Sequence, residues 1–440
     1  MERQYKDSGI EWIGRIPEGW DVKRLKNLCV SSNSLIADGD WIESQDISDE
    51  GIRYYTTGNI GDGVFKEQGN GFITESTFDK LKCTPVYPGD LVFSRLNVPI
   101  GRSCIIPNIY PICVVAVDNV IVRPDSSYDK QYLMYVSMCP GYQETNMLIA
   151  RGTTMQRMSR TQLENIYLPI PPLPEQQRIA SYLDKKCGEI DELIALQEKM
   201  IAQLTEYKQA VITEAVTKGL DPNAKLVPSG IEWIGDVPEG WNKCAPLKWF
   251  TEIILGKMLQ SNTNSPTDTL EKYICAKDVH YDGIDYSDLK SMYYSPSEKN
   301  TYQVKKEDML VVEGGAGAAG AAIVDKDIEN TYIQNSIMIV RPKKDIDIRY
   351  VRYMLFSVVS RGYVDYICNK ATIPHFTKDK LSGTLIPMPP LSEQQRIAAF
   401  LDTKCSEIDS LIALKRQKIE SLNAYKKSVI YEAVTGKTII

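Results

Sequence analysis

Apolar residues recur in alternating three- and four-residue steps along two stretches of the chain. The first runs through Leu183, Cys187, Ile190, Ile194, Ile201, Leu204, Val211 and Ala215, interrupted only at Gln197 and Lys208. The second runs through Leu401, Cys405, Ile408, Ile412, Ile419, Leu422, Val429 and Ala433, interrupted at Lys415 and Lys426. No proline follows Pro174 before Gly219, and Gly188 is the single glycine between them, so roughly forty residues can run as one helix about 60 Å long. Such a seam, held over about four heptads, predicts a coiled coil. Two helices whose polar exceptions fall at the same layers are most economically paired with each other. Antiparallel pairing would place the segments that precede them at opposite ends of a rigid rod. A further stripe of Ile179, Tyr182, Leu193, Leu196, Met200 and Tyr207, echoed by Ile397, Phe400, Leu411, Leu414 and Tyr425, leaves apolar surface for the rest of the chain or for a partner protein.

The two stretches are copies. Pro169-Ile170-Pro171-Pro172-Leu173-Pro174-Glu175-Gln176-Gln177-Arg178-Ile179-Ala180 returns 218 positions on, from Pro387 to Ala398, and the register holds through Glu432-Ala433-Val434-Thr435. A second pair opens each half: Ser8-Gly9-Ile10-Glu11-Trp12-Ile13-Gly14 matches Ser229 to Gly235, and Pro17-Glu18-Gly19-Trp20 matches Pro238 to Trp241. So long a period marks a duplicated multi-domain half, since solenoid units span roughly 20 to 50 residues. The boundaries expected are a first module over 1–168, a helical region over 169–219, a second module over 220–386 and a second helical region over 387–440.

Between the copies the modules share few identities. Alternating apolar patterns predict strands over 51–57, 90–94, 114–122, 308–312 and 332–340, with short helices over 130–138 and 349–359. A common skeleton survives: Gly89-Asp90-Leu91-Val92 answers to Glu307-Asp308-Met309-Leu310, and Val122-Arg123-Pro124 to Val340-Arg341-Pro342. One fold with two surfaces follows.

The segments leading into the long helices carry the most suggestive chemistry. Arg151, Thr153, Thr154, Gln156, Arg157 and Arg160 lie together in the first half; Lys370, Thr372, His375, Lys378 and Lys380 occupy the corresponding place in the second. Lysine and arginine meet phosphates, while threonine fixes register and glutamine or arginine can engage base edges. Arg95, Asn97 and Arg102, after the strand at 90–94, are weaker candidates for the same surface.

Composition bounds the rest. A net charge of −6 argues against a histone-like polyanion binder but not against DNA, because phosphate contact depends on where the basic residues cluster. The ten cysteines are scattered without a C-x-x-C pair, as for reduced core thiols. No 18-residue apolar run and no apolar segment behind Met1 is found, so a soluble cytoplasmic protein without membrane contact is expected. Two histidines cannot build a His-rich metal site, and no metal ligand set is expected. Gly315, Gly317 and Gly320 spell a G-x-G-x-x-G, but the first half has no glycine finger there and no clear helix follows, which points to a loop rather than a nucleotide site. Without a catalytic constellation or an Asn-Pro-Pro-Tyr/Phe tetrapeptide, a non-enzymatic DNA reader leads. A free-standing DNA-binding protein and an enzyme using the glycine loop stand behind it.

The duplicated Pro-Pro-Leu-x-Glu-Gln-Gln-Arg-Ile-Ala at 171–180 and 389–398, the twin Ser-Gly-Ile-Glu-Trp-Ile-Gly openings, and Gly39-Asp40-Trp41-Ile42-Glu43 with Thr57-Gly58-Asn59-Ile60-Gly61-Asp62-Gly63 resemble the specificity (HsdS) subunit of Type I restriction-modification systems. The resemblance covers essentially the whole chain and implies an α+β fold. Two pseudo-symmetric mixed α/β target recognition domains, each followed by a long helix, would each read half of an asymmetric double-stranded DNA site. The helices would pair as an antiparallel coiled coil, set the spacing and dock two methyltransferase (M) subunits. S-adenosylmethionine would then sit on those subunits, and ATP and Mg on the restriction (R) motor-nuclease subunits, with no cofactor on this chain. The assembled complex would be an adenine-N6 DNA methyltransferase and ATP-dependent site-specific deoxyribonuclease. Ser392, where the first copy has Pro174, and the second module's glycine run depart from strict duplication and advise against carrying over individual base contacts.

Overall fold

The computed structural model describes residues 3–152, 155–281, 283–315, 317–343, 345–363, 367 and 375–440, with backbone alone for 242 and 243. These form two compact units. One comprises Met1–Glu198 with Arg416–Ile440, and the other Lys199–Lys415. Each unit therefore takes one module, the start of the long helix that follows it, and the end of the other long helix.

The modules have the same topology. In the first unit an antiparallel sheet runs in the order Leu35–Asp38, Asn119–Arg123, Leu91–Ser94, Ser103–Ile105. Its counterpart in the second unit runs Thr251–Leu255, Ile337–Pro342, Met309–Val312, Ala321–Ile323. A three-stranded sheet accompanies each, with Ile52–Tyr55 parallel to Cys113–Val115 in one and Thr269–Ile274 parallel to Thr331–Ile333 in the other. The twin openings form hairpins, Tyr5–Asp7 with Arg15–Pro17 and Leu226–Pro228 with Asp236–Pro238.

Two expected strands are each two strands. The run at 114–122 breaks into Cys113–Val115 and Asn119–Arg123, and that at 332–340 into Thr331–Ile333 and Ile337–Pro342. The break falls at the turns Val117-Asp118 and Asn335-Ser336, and passes the chain from the parallel sheet to the antiparallel one. The shared Asp and Arg skeleton is an ion pair: Arg123 grips Asp90 with Nε at 3.0 Å and Nη2 at 2.7 Å, and Arg341 grips Asp308 at 2.8 and 2.7 Å. Each carboxylate also accepts a backbone amide, from Tyr87 or Lys305, so two neighbouring turns are fixed by one bidentate contact.

The long helices span Leu173–Lys218 and Leu391–Val434, each entered from a Pro-Pro pair with an acid in the first turn, Glu175 or Glu393. Gly219 and Gly436, at φ 76° and 71°, close them in the left-handed conformation that glycine adopts without strain. Within the first unit Leu183 and Cys187 share a core with Val429, Ile430, Ala433 and Val434; within the second, Ala215 and Val216 share one with Leu401 and Cys405. The helix segments pair antiparallel in both. Lys426 meets Asp191 at 2.7 Å in the first unit, and Lys208 meets Asp409 at 2.6 Å in the second, so two of the four polar interruptions of the seam are its cross-helix ion pairs. Ile194, Ile201, Leu204 and Val211 are half-buried, as is Ile419, whereas Ile408, Ile412 and Leu422 are buried. Of the further stripe, Ile179 and Ile397 are buried, while Leu193, Leu196, Tyr207, Leu411, Leu414 and Tyr425 stay exposed in this chain.

The signature glutamine is a bracket. Buried Gln176 accepts the Asp129 amide at 2.8 Å and donates to Pro171 O at 2.8 Å; buried Gln394 accepts the Asp347 amide at 2.9 Å and donates to Pro389 O at 2.9 Å. Asp129 and Asp347 cap the module helices Lys130–Ser137 and Ile348–Ser360, so each glutamine ties a long helix to its own module. Gln176→Ala and Gln394→Ala each strand a buried amide and a buried carbonyl and should each cost about 2 kcal/mol. Urea unfolding followed by circular dichroism checks this through a lowered midpoint in both variants.

Candidate nucleic-acid interface

In the first unit the loop after Leu91–Ser94 is zipped to the segment before the long helix. Asn97 donates its amide to Gln156 O at 3.0 Å, Met158 to Arg95 O at 3.1 Å, and Arg151 and Arg157 exchange both backbone hydrogen bonds at 2.9 Å. Arg102 holds this loop from beneath. Its guanidinium, buried, donates to Ile60 O at 2.6 Å, Thr57 O at 2.9 Å, and Leu96, Asn97 and Pro99 O at 2.9, 2.9 and 3.2 Å. One side chain thereby satisfies five carbonyls that turning the chain had freed.

Arg95 and Arg102 are thus not surface cations, contrary to their place among the sequence candidates. Arg95 is buried, donates to Met158 O and Val117 O, and pairs with Asp38 at 2.9 Å. Burial pulls both guanidinium groups below their ordinary value, opposed for Arg95 by Asp38 and Asp118 and for Arg102 by Asp62. The Arg102 donors are spent on carbonyls, and Arg95 Nε, without a partner among the described residues, is itself buried, so neither side chain presents its charge at the surface.

The remaining candidates of this segment stay outside. Asn97 is exposed at φ 62°, and Arg151, Arg157 and Arg160 are exposed. Arg157 pairs with Asp118 at 2.6 Å, and Arg160 with Asp38 at 3.2 Å and Glu164 at 3.0 Å; Arg151 has no ion pair among the described residues. Gln156 Oε1 is buried without a partner among them. Thr153 and Thr154 lie outside the described residues. The sequence reading missed Asp38 and Asp118, acids that hold the arginines in place when no polyanion is near. Asp118-Asn119, a turn pair inside a strand-like run, was the available signal.

The second unit builds the same junction from other residues. Phe376 donates its amide to Glu313 O at 2.7 Å, as Met158 does to Arg95, and Gly314 bridges His375 as Leu96 bridges Arg157. A Cβ on Gly314 would stand 2.9 Å from His375 Nδ1, so a larger residue there would push the exposed imidazole aside. His375 is exposed, and its carbonyl accepts Lys380 Nζ at 2.8 Å; Lys378 is exposed at the start of the helix Lys378–Gly383. Lys370 and Thr372 lie outside the described residues. The glycine run turns on itself, Gly320 N to Gly317 O at 2.8 Å and Ala318 N to Gly315 O at 3.0 Å, and leads into the strand Ala321–Ile323. No helix N-terminus follows to receive a pyrophosphate, which removes the dinucleotide reading.

Residues 17–206 and 238–424 each match the family model described as Type I restriction modification DNA specificity domain. The chain belongs to this family. Each matched range takes in most of one module and of the long helix that follows it. The chain is 25% identical over 440 residues to the putative type I restriction enzyme MjaX specificity subunit of Methanocaldococcus jannaschii, covering 97% of this chain and 95% of that one. It is 21% identical to the EcoKI specificity subunit of Escherichia coli K12, covering 96% and 90%. Among solved structures, a chain described under "Structural basis underlying complex assembly and conformational transition of the type I R-M system" superposes with a TM-score of 0.70 at 18% identity, covering 96% of this chain and 99% of that one. The HsdS subunit from Thermoanaerobacter tengcongensis superposes at 0.51 and 18%, covering 96% and 98%. These two establish the fold.

Among the described residues of these specificity domains no group of three or more His, Cys, Asp or Glu could hold a metal ion, and no helix is long and apolar enough to cross a membrane. Nine described cysteines are free thiols, and burial pushes Cys187 up to about 11. One acid stands out beside the interface. Burial pushes the Asp40 carboxyl up to about 6, opposed by the Thr84 amide that it accepts at 2.9 Å. A raised carboxylate favours folding when protonated, so its contribution is full below the ordinary carboxylate value and is lost as pH rises through 6. Asp40→Asn keeps the acceptor for Thr84 without the charge. It should be more stable than the parent by about 1 kcal/mol at neutral pH, after discounting for partial exposure, and the two should converge near pH 4; paired thermal melts across that range check it.

Proposed function

We propose that this chain is the DNA sequence-specificity and assembly subunit of a Type I restriction-modification complex, each module reading one half of a bipartite asymmetric site. One observation carries this: two domains of a DNA specificity family with identical topology present chemically different loops at one junction, Arg95–Arg102 against 151–160 in one and Glu313–Gly320 against 375–380 in the other. Arg151, Arg157, Arg160, Lys378 and Lys380 meet phosphates. The aspartate partners of Arg157 and Arg160 exchange places with the DNA backbone, which orients the arginines beforehand.

In this reading the paired helices set the spacing of the half-sites, about one duplex turn or 34 Å for contact from one face. The exposed side chains of Leu193, Leu196, Leu411 and Leu414 receive two methyltransferase subunits. The chemistry then belongs to those companions: adenine-N6 methylation with S-adenosylmethionine, and ATP- and Mg-dependent cleavage by restriction subunits. This chain contributes recognition and geometry and binds no cofactor.

Co-expression with a methyltransferase subunit, followed by genome-wide mapping of N6-methyladenine in cells with and without this gene, should return one bipartite motif. Arg157→Ala and Lys378→Ala should each weaken binding of that site through a different half and lower the slope of log K against log salt by about one. Absence of both a complex and site-specific methylation would refute the assignment; unchanged affinity and slope in both variants would remove these loops from the interface.

A further inference from the structure

Trp41 is 69% exposed and Met258 76%, yet each sits on backbone that is held fast. They occupy one position in the two modules. Gly39 donates its amide to Asn119 O at 2.8 Å and Gly256 to Ile337 O at 3.0 Å, and the following residues, Asp40 and Lys257, make matching parallel bridges to Ala116 and Gln334. Both glycines press on that turn: a Cβ on Gly39 would lie 2.3 Å from Ala116 O, and one on Gly256 2.4 Å from Gln334 O. The residue before each apolar side chain is also tied down, Asp40 by the Thr84 amide and Lys257 by Glu298 at 2.5 Å and Tyr293 O at 3.0 Å.

Isolated exposed apolar residues are ordinary on any surface. Recurrence at one clamped position in modules that have otherwise diverged is not. The turn these residues lean on also carries the reading loop, since Arg95 donates its amide to Asp118 O at 2.8 Å and Glu313 to Ser336 O at 2.9 Å. In the first module Asp38, three residues before Trp41, pairs with both Arg95 and Arg160. In each module the residue before the apolar side chain and the first residue of the reading loop are therefore tied to one short turn. In the second module Leu259, 58% exposed, widens the apolar contact.

We propose that Trp41 and the Met258–Leu259 pair are apolar DNA contacts, each pressing on a base step of the half-site read by its own module. Resting on the function proposed above, this adds deformability of a base step to the chemistry those modules recognise. Rigid backbone beneath an exposed apolar side chain is what a wedge needs, because force on a stacked step must not be relieved by movement of its support.

The test uses the full chain assembled with its methyltransferase subunits and duplexes carrying the mapped site with 2-aminopurine at one position at a time. Trp41→Ala should weaken binding about tenfold, leave the salt slope unchanged because no phosphate contact is lost, and abolish the fluorescence rise in the first half-site alone. The double variant Met258→Ala with Leu259→Ala should do so in the second half-site alone, and Trp41→Phe should retain most of both effects. Parental affinity and fluorescence in the alanine variants would overturn the inference, as would loss of the methyltransferase subunits from the Trp41→Ala complex, which would make the residue a protein contact. Both of those outcomes leave a parent that binds its site; a parent complex without sequence preference would instead remove the function on which the inference rests.

Discussion

The hydroxyl of Tyr132 donates to Pro169 O at 2.8 Å and to Val434 O at 3.1 Å, and that of Tyr350 to Pro387 O at 2.9 Å and Val216 O at 3.2 Å. Both tyrosines are fully buried, which lifts their ionisation well above the ordinary value and keeps the hydroxyl a donor. Each thereby joins a module to the strand that enters its own long helix and to the final turn of the other copy's helix. A module closes its core only with that borrowed end. Neither half of the sequence is a complete unit, and the antiparallel pairing of the helices is a condition of folding each module.

The constraint explains what the duplication preserves. Gln176 and Gln394 bind the caps of the module helices, and Tyr135 and Tyr353 reach Asp184 and Asp402 at 2.7 and 2.8 Å on the long helices. Asp90 with Arg123 and Asp308 with Arg341 fix the sheets that carry the loops. All these pairs recur 218 positions apart, the register of the long helices themselves. The frame is therefore one continuous set of polar brackets around apolar cores, and surfaces outside it are free to differ.

Much of the frame was legible in the sequence because helix seams advertise themselves by spacing. Leu183 to Ala215 and Leu401 to Ala433 gave the long helices and their antiparallel pairing, and Asp90 and Arg123 with their partners marked a shared skeleton. The interface was harder. Arg95 and Arg102 look like phosphate ligands in a linear string, yet burial turns them into supports, and nothing in their local sequence distinguishes a guanidinium facing solvent from one facing five carbonyls. Asp38 and Asp118 lie far from Arg157 and Arg160 in the chain, so their counter-charge was invisible until the sheet brought them together. Tyr132 and Tyr350 could have been found, since Tyr-x-x-Tyr repeats at 132–135 and 350–353 in the register of the helices.

The two loops show how one topology can carry unlike readers. A turn at the end of a buried strand frees carbonyls that must be satisfied, and the first module uses the long side chain of Arg102 to reach five of them across two loops. At the matching position the second module has Gly320, whose own amide and that of Ala318 satisfy Gly317 and Gly315 O within the loop, while Ala319 donates to Val312 O at the end of the strand. The first solution binds two loops into one stiff surface, so that changing one residue of it disturbs the others. The second satisfies carbonyls of the glycine run with the run's own amides and is tied to other segments at its edges, through Ala319 to Val312, Glu313 to Ser336 and Phe376 to Glu313. Divergence of DNA-reading surfaces on a fixed scaffold then follows from which groups make the hydrogen bonds: in the frame they join side chains that recur 218 positions apart, and at the loop junction the bonds shared by both modules are made by backbone groups, which leave the side chains free to differ.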